Sequence, residues 1–144
     1  MVDVSAKDVT VRTATATGRV LLSAQAVAAL RDGTVPKGDA LAVARIAGIA
    51  GAKRTPDLIP LCHPLSLDDC QIEIKPDRER AEIEIHCRVQ THGKTGVEME
   101  ALTSVSVAAL TLIDMIKSVD KGAVITDVRL EAKDGGRSGA WRRA

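Results

Sequence analysis

Two stretches near the middle of the chain alternate between apolar and polar residues. The first covers residues 70–74, and the second covers residues 81–89. A period of two is typical of strands that bury one face. The turn-forming residues 76–79 lie between the two stretches, so the pattern predicts a β-hairpin.

Two further strands are predicted towards the ends of the chain. Residues 12–22 are rich in Thr and Val, which favour a strand, with Gly18 as a point of interruption. The last strand is expected over residues 123–132. Between the hairpin and this strand, apolar residues recur with the helical period from Val97 and predict a helix that ends at about Val119.

Cap residues mark two earlier helices. Ser23 precedes a predicted short helix over 24–31, and Gly33 follows it. Asp39 is the N-cap expected for a second helix over 40–53.

The second helix is apolar on all sides. Every residue from 40 to 52 except Arg45 is Ala, Gly, Val, Leu or Ile. Gly48 and Gly51 weaken the helix but allow close approach of another backbone. Because a helix that is apolar all round is normally covered all round, we expect subunits to pack together.

Apart from the short helix near Ser23, the element order is β-α-β-β-α-β. This order predicts an α+β, ferredoxin-like fold with a four-stranded antiparallel sheet and helices on one face. The 144 residues suit one domain, 1–144, and we expect 1–10 and 134–144 to be mobile.

Composition excludes several classes of protein. Net charge is +1, there is no Phe or Tyr, and Trp141 is the one aromatic residue, so nucleic-acid binding through base stacking is not expected. We expect no segment to approach the ~20 apolar residues of a membrane span. The three cysteines lack CxxC spacing and no secretion signal is visible, which predicts a cytoplasmic protein without membrane partners.

Two motif interpretations fail on spacing or direction. Gly93-Lys94-Thr95 resembles a phosphate-binding loop, but Arg88 stands where that motif needs its first glycine. A zinc site from two Cys-His pairs is disfavoured because His86 and Cys87, as neighbours on a strand, point to opposite faces. A zinc-binding structural protein is nevertheless kept as a third hypothesis for the function.

Several polar residues could form a site, and each also has an ordinary structural explanation. Cys62 and His63 lie in an irregular, proline-containing segment, where a site wall and a packed thiol are equally acceptable. Glu98 and Glu100 could bind a ligand or simply stabilise the helix start. On the same helix, one face carries Asp114, Lys117 and Lys121. They could be part of a site, or Asp114 and Lys117 could be an ordinary surface ion pair.

Basic residues lie where an anion could bind. Lys37 precedes a helix N-terminus, and Arg12, Lys133 and Arg137 lie on or beside the terminal strands, near the flexible pair Gly135-Gly136. Taken singly, each is equally explained as a solvated side chain.

Three segments carry a specific resemblance: 58–65 (Leu-Ile-Pro-Leu-Cys-His-Pro-Leu), 96–103 (Gly-Val-Glu-Met-Glu-Ala-Leu-Thr) and 114–121 (Asp-Met-Ile-Lys-Ser-Val-Asp-Lys). With Ile46-Ala47-Gly48-Ile49 and the Gly-Gly-Arg-Ser-Gly tail at 135–139, they closely resemble the molybdenum-cofactor biosynthesis protein C family. These enzymes are cyclic pyranopterin monophosphate synthases.

The resemblance implies a lyase that acts early in molybdenum cofactor biosynthesis. Its substrate would be 3′,8-cyclo-7,8-dihydroguanosine 5′-triphosphate, and its products cyclic pyranopterin monophosphate and diphosphate. It implies a homohexamer built as a trimer of dimers, with sites between subunits. It implies no resident cofactor and leaves a need for Mg²⁺ open.

The resemblance also assigns site residues by motif. Asp114 and Lys117 are implied as catalytic, with no metal ligand. The implied substrate-binding residues are Arg12, Lys37, Cys62, His63, Glu98, Met99, Glu100, Lys121 and Lys133.

Two positions depart from the family pattern. Arg137 stands where many relatives have Lys, and the ending Ala140-Trp141-Arg142-Arg143 differs from the common one. The alternative function is a non-catalytic oligomer that binds a nucleotide for regulation, which would not need the Asp114–Lys117 pair.

Overall fold

The computed structural model describes residues 1–144 as an antiparallel sheet with its helices packed on one face. The elements are β1 (Thr10–Leu21), α1 (Ala24–Asp32), α2 (Ala40–Lys53), α3 (Thr55–Leu58), β2 (Asp69–Asp77), β3 (Glu82–Gly93), α4 (Glu98–Ile116), β4 (Val124–Asp134) and β5 (Trp141–Arg142). The strand order β2-β3-β1-β4 confirms the predicted ferredoxin-like arrangement.

Strand β1 forms the centre of the sheet, paired with β3 on one side and β4 on the other. Its alternation places Ala14, Ala16 and Val20 in the core, while Thr15 and Thr17 lie half-buried on the opposite face. The core is therefore a single layer between the sheet and helices α1, α2 and α4.

Glycines let α4 lie close to its neighbours. A Cβ at Gly51 would stand 2.9 Å from Cβ of Val107, and a Cβ at Gly18 would stand 2.6 Å from Cγ1 of Val105. Gly18 does not break β1, which continues through it with irregular pairing to β4. The glycine is there because α4 packs directly on that point of the strand.

The predicted caps are confirmed. The Ser23 hydroxyl accepts a hydrogen bond from the N–H of Ala26 at 3.1 Å, and the Asp39 carboxylate accepts one from the N–H of Ala42 at 3.1 Å. Gly33 ends α1 with a φ of 70°, which a side chain would disfavour.

Helix α4 is the core helix of the fold. It has 19 residues, with a mean hydropathy of 1.6 over its most apolar window, so by length and composition it could cross a membrane. The expectation that no segment reaches this limit is therefore wrong. More than half of that window is buried against the sheet and α2, as in the core helix of a soluble protein.

Two element ends differ from prediction. Helix α4 ends at Ile116, not at about Val119, because the chain turns there and the N–H groups of Val119 and Asp120 both donate to the Ile116 carbonyl. The sheet has five strands rather than four, since the two-residue strand β5 pairs with the edge of β4. Mobility of residues 1–10 and 134–144 stays a prediction.

The second helix is not covered all round within one chain. Val43 and Ile46 on α2 are 42% and 68% exposed, and Leu110 on α4 is 59% exposed. Large apolar side chains on two adjacent helices thus face away from the sheet.

Candidate functional site

A cavity of about 280 Å³ opens at the start of α4. It brings together five of the predicted site residues: Cys62, His63, Glu98, Met99 and Glu100. The rest of its lining comes from the N-terminal segment, the proline-containing segment and the loop before α4: Val2, Val4, Lys7, Leu61, Leu65, Thr95 and Gly96.

The two glutamates of the cavity have different surroundings. Glu100 is only 3% exposed, and burial raises the pKa of its carboxyl group, with a further contribution from the charge of Glu98. The Glu98 carboxylate instead pairs with the Lys133 ammonium at 3.2 Å. A buried carboxylate at a cavity wall can accept hydrogen bonds from ring N–H groups of a ligand.

Cys62 and His63 are neighbours in sequence but have different surroundings. Burial, followed by the charge of Glu100, raises the pKa of the Cys62 thiol, which keeps it protonated. The His63 ring donates from Nε2 to the Val2 carbonyl at 2.7 Å, because a carbonyl can only accept. This hydrogen bond ties the His63 ring to the N-terminal segment.

A second cavity, of about 370 Å³, lies between the N-terminal segment and the Gly-Gly tail. It is lined by Lys7, Asp8, Thr10, Arg12, Gly136, Arg137 and Ser138. Lys7 lines both cavities. The lining contains three cationic side chains and one carboxylate, and this net positive charge favours the binding of an anion.

Arg12 is fixed in this second cavity. It is 9% exposed, and its guanidinium donates to the carbonyls of Gly93 and Lys94 at 3.3 Å each. Gly136 packs against the guanidinium with a φ of 76°, where a Cβ would collide with it. No carboxylate lies within ion-pair distance of Arg12, so its charge is free for a ligand.

At the opposite end of α4, three predicted residues form an ion cluster. The Asp114 carboxylate accepts from Lys117 at 2.7 Å and from Lys37 at 2.9 Å. The hydrogen bond from Lys117, with that from Lys37, lowers the pKa of Asp114 to about 2. The three side chains are exposed, so the cluster is accessible to a ligand or to another subunit.

Lys121 is not on the helix face that was predicted for it. Since α4 ends at Ile116, Lys121 lies in the turn that follows. Asp120 shapes this turn, because its carboxylate accepts from the backbone N–H groups of Ser23 and Gly122 at 2.7 Å each.

The site residues form two separate sets within one chain. The α4-start set lies at the cavities and comprises Arg12, Cys62, His63, Glu98, Met99, Glu100 and Lys133. The α4-end set is Lys37, Asp114 and Lys117. Glu98 and Asp114 are 16 residues apart on α4, which places them about 24 Å apart at 1.5 Å per residue.

Two site residues escaped the sequence analysis. Lys7 lies in a segment with little pattern, and the Ser138 hydroxyl lies 3.2 Å from the Lys133 ammonium. The glycine-rich tail was the only signal near Ser138. Nothing in the residues around Lys7 indicates its place between two cavities.

The zinc hypothesis gains nothing from the geometry. Cys87 is buried, and His86 is half-buried on the opposite face, beside Glu84 at 3.0 Å, as expected for strand neighbours. No group of three or more His, Cys, Asp or Glu side chains is arranged to hold a metal ion.

The sequence model of the MoaC family matches residues 1–136, which contain both sets of site residues. The chain belongs to the MoaC family. The match covers every element from β1 to β4 and stops inside the Gly-Gly tail, before β5.

Curated members of the MoaC family are similar along the whole chain. A cyclic pyranopterin monophosphate synthase of Streptomyces avermitilis is 65% identical over 144 residues, which is 100% of this chain and 84% of that protein. Proteins of the same name from Nocardioides sp. and Heliobacterium modesticaldum are 60% and 57% identical, over 99% of this chain and 88% and 90% of theirs.

Proposed function

We propose that this chain is a cyclic pyranopterin monophosphate synthase of molybdenum cofactor biosynthesis. In this proposal it converts 3′,8-cyclo-7,8-dihydroguanosine 5′-triphosphate into cyclic pyranopterin monophosphate and diphosphate. Membership of the MoaC family, with relatives of that name at 65% identity, supports the reaction. The observation that carries the residue assignment is the Asp114–Lys117–Lys37 cluster.

Lys117 is the proton-transfer residue in this proposal, and Asp114 positions it. Ring opening and ring closure both require protons to move, and a lysine can give a proton as the ammonium and take one back as the neutral amine. Asp114 is ionised at neutral pH, and the hydrogen bonds from Lys117 and Lys37 lower its pKa to about 2; it holds the Lys117 ammonium by charge and by a 2.7 Å hydrogen bond. A simple binding protein has no need of this arrangement.

The α4-start set binds the substrate. Glu100 accepts ring N–H groups from the guanine-derived part, next to Cys62, His63 and Met99 in the same cavity. The triphosphate is bound by the cationic side chains of Arg12, Lys37, Lys121 and Lys133. The rearrangement is redox-neutral, so the proposal includes no redox cofactor, and it leaves a requirement for Mg²⁺ open.

Assembly is part of the proposal because the two sets lie at opposite ends of α4, with Glu98 and Asp114 about 24 Å apart along the helix. A site that uses both must take the α4-start set from one subunit and the α4-end set from another. A homohexamer, as a trimer of dimers, satisfies this requirement, and it would also cover the exposed Val43, Ile46 and Leu110. Sedimentation at micromolar concentration should therefore show an oligomer; a stable 15.2 kDa monomer would contradict the shared site.

We further place the protein in the cytoplasm, with no nucleic-acid or membrane partner. Its partners in this proposal are copies of itself and the small-molecule substrate. The lack of Phe and Tyr for base stacking and the near-neutral net charge of +1 argue against a nucleic-acid partner.

Turnover of the cyclised triphosphate by Lys117→Ala tests the function. We expect release of diphosphate and a pterin product by the wild-type chain, and a rate at least ~100-fold lower for the variant, which still folds and binds. Lys117→Arg should not restore the rate, since a guanidinium does not release its proton near neutral pH.

Lys75→Ala is a matched control, because Lys75 forms an exposed ion pair with Glu73 at 2.7 Å outside both sets. This variant should keep its turnover. Tight binding of the triphosphate without any product from the wild-type chain would favour the alternative, a regulatory nucleotide-binding oligomer. A Lys117→Ala rate above about a tenth of the wild-type rate would show that the Asp114–Lys117–Lys37 cluster is only a surface ion pair.

A further inference from the structure

The C-terminal tail turns back on β4 and adds a short strand to the sheet edge. The turn runs through Gly139, whose φ is +62° and whose N–H donates to the carbonyl of Gly136 at 3.3 Å. Arg143 then fixes the end of the tail, because its backbone N–H donates to the carbonyl of Glu131 at 2.8 Å and its guanidinium donates to the carbonyl of Leu130 at 2.7 Å.

The register of this added strand places Trp141 directly opposite Lys133. Opposite residues of an antiparallel pair stand on the same face, with Cβ atoms roughly 4.5–5.5 Å apart. For Lys133 that face is the helix side, since it is also paired with the buried Ala14 and its ammonium reaches Glu98 at 3.2 Å. The indole thus stands beside the lysine at the edge of the α4-start set.

The next residue of the tail points the other way. Arg142 is paired with Ala132, which lies opposite Thr15 on the face of the sheet without helices. One two-residue strand therefore carries one side chain towards the site and one away from it.

We propose that Trp141 is a positioning residue that holds the Lys133 ammonium in place for the substrate's phosphates. The Lys133 side chain is flexible. Its ammonium lies 3.2 Å from both the Glu98 carboxylate and the Ser138 hydroxyl, and Trp141 stands opposite Lys133 in the β4–β5 pairing. The indole is itself held, because the Arg143 guanidinium lies 5.7 Å from its ring centroid. The proposal rests on the substrate-binding role given to Lys133 above.

A double-mutant cycle on the full-length chain tests whether Trp141 acts through Lys133. Trp141→Ala should raise KM for the cyclised triphosphate about fivefold or more and leave kcat within about twofold, because only binding of the phosphates is affected. In a Lys133→Ala background the same substitution should have no further effect, since the side chain that it positions is already gone. Trp141→Phe should restore most of the affinity, because a flat aromatic ring is what confines the lysine.

Arg142→Ala is the matched control, on the same strand but on the opposite face, and its KM should equal that of wild type. Equal losses from Trp141→Ala in the presence and absence of Lys133, or a fall in kcat with KM unchanged, would overturn the proposal. So would an equal loss in Arg142→Ala, which would show that the tail acts only by pairing with β4. Failure of the proposed function is distinct, because the wild-type chain would then release no diphosphate.

Discussion

Mixing two inactive variants of this chain should restore activity if the site is shared between subunits. One variant carries Lys117→Ala and so lacks the α4-end set. The other carries Glu98→Ala and Lys133→Ala, which remove the ion pair of 3.2 Å at the α4-start set. Each variant keeps the other set of residues unchanged.

The expected recovery follows from the distance between the two sets. About 24 Å of helix separates Glu98 from Asp114, so in this proposal each site combines the α4-start set of one subunit with the α4-end set of another. In an equal, random mixture each intact set is present in half of the subunits, so about a quarter of the sites are complete. The mixture should therefore reach about a quarter of wild-type activity, against roughly 1% or less for Lys117→Ala alone.

The assay is release of diphosphate by oligomers that have been dissociated together and reassembled, with mixed composition verified by mass spectrometry. A mixture of Lys117→Ala with Asp114→Ala is the matched control. Both substitutions fall in the α4-end set, where the two side chains are 2.7 Å apart, so no combination of these subunits completes a site. This control should stay inactive.

No recovery in verified mixed oligomers would refute the shared site. Every subunit of the mixture carries one defect, so a site built inside a single chain cannot be rescued by mixing. Recovery in the control mixture would also refute the assignment, because it would place Asp114 and Lys117 in different sites.

Three further predictions follow from single contacts. Lys133→Ala should weaken substrate binding more at low salt than at high salt, as measured by KM at two ionic strengths, because an unpaired phosphate charge is less screened there. Glu100→Gln should raise Tm at neutral pH and slow turnover. Burial raises the pKa of this carboxyl group above its ordinary 4.5, so the wild-type chain loses stability as pH rises through the folded-state pKa, and the gain in Tm should shrink towards pH 4. Gly51→Ala should lower the free energy of unfolding by about 1–3 kcal/mol in urea melts, because its Cβ would stand 2.9 Å from Cβ of the stiff, branched Val107. We expect this overpacking to outweigh the gain in helix propensity. An unchanged or higher urea midpoint would contradict that packing.

Most of the fold could be predicted because its periodic patterns are strong. The alternation over 70–74 and 81–89 gave both strands of the hairpin, and the cap residues Ser23 and Asp39 fixed two helix starts. The end of α4 was placed three residues late because Lys117, Ser118 and Val119 are all compatible with a helix. The turn shows only in the structure, where two N–H groups donate to the Ile116 carbonyl and the Asp120 carboxylate accepts from the N–H groups of Ser23 and Gly122.

The residues of the site were predicted from the family resemblance, whereas only the structure shows that they form two separate sets. Local chemistry gave Glu98 and Glu100 an equally good role in stabilising the helix start, and only the burial of Glu100 at a cavity separates the two explanations. Strand β5 was missed because two residues carry no period. The pairing of Trp141 with Lys133 therefore had no signal in the sequence.

The charged side chains of α4 lie only near its two ends, which is why the proposed site draws on more than one copy of the chain. Glu98 and Glu100 open the helix and Asp114 lies in its last turn, whereas no charged residue lies between them. Carboxylates at its start suit the helix dipole, but Asp114 near its end opposes the dipole and does not stabilise the helix. Lys37 and Lys117 offset that cost, and their hydrogen bonds bring the pKa of Asp114 down to about 2. A carboxylate placed where the helix dipole disfavours it, and held there by two lysines, agrees with the role proposed for this cluster. In that proposal Glu98 and Glu100 bind the ligand from the other end of the same helix, so a second copy of the chain would bring the two ends together.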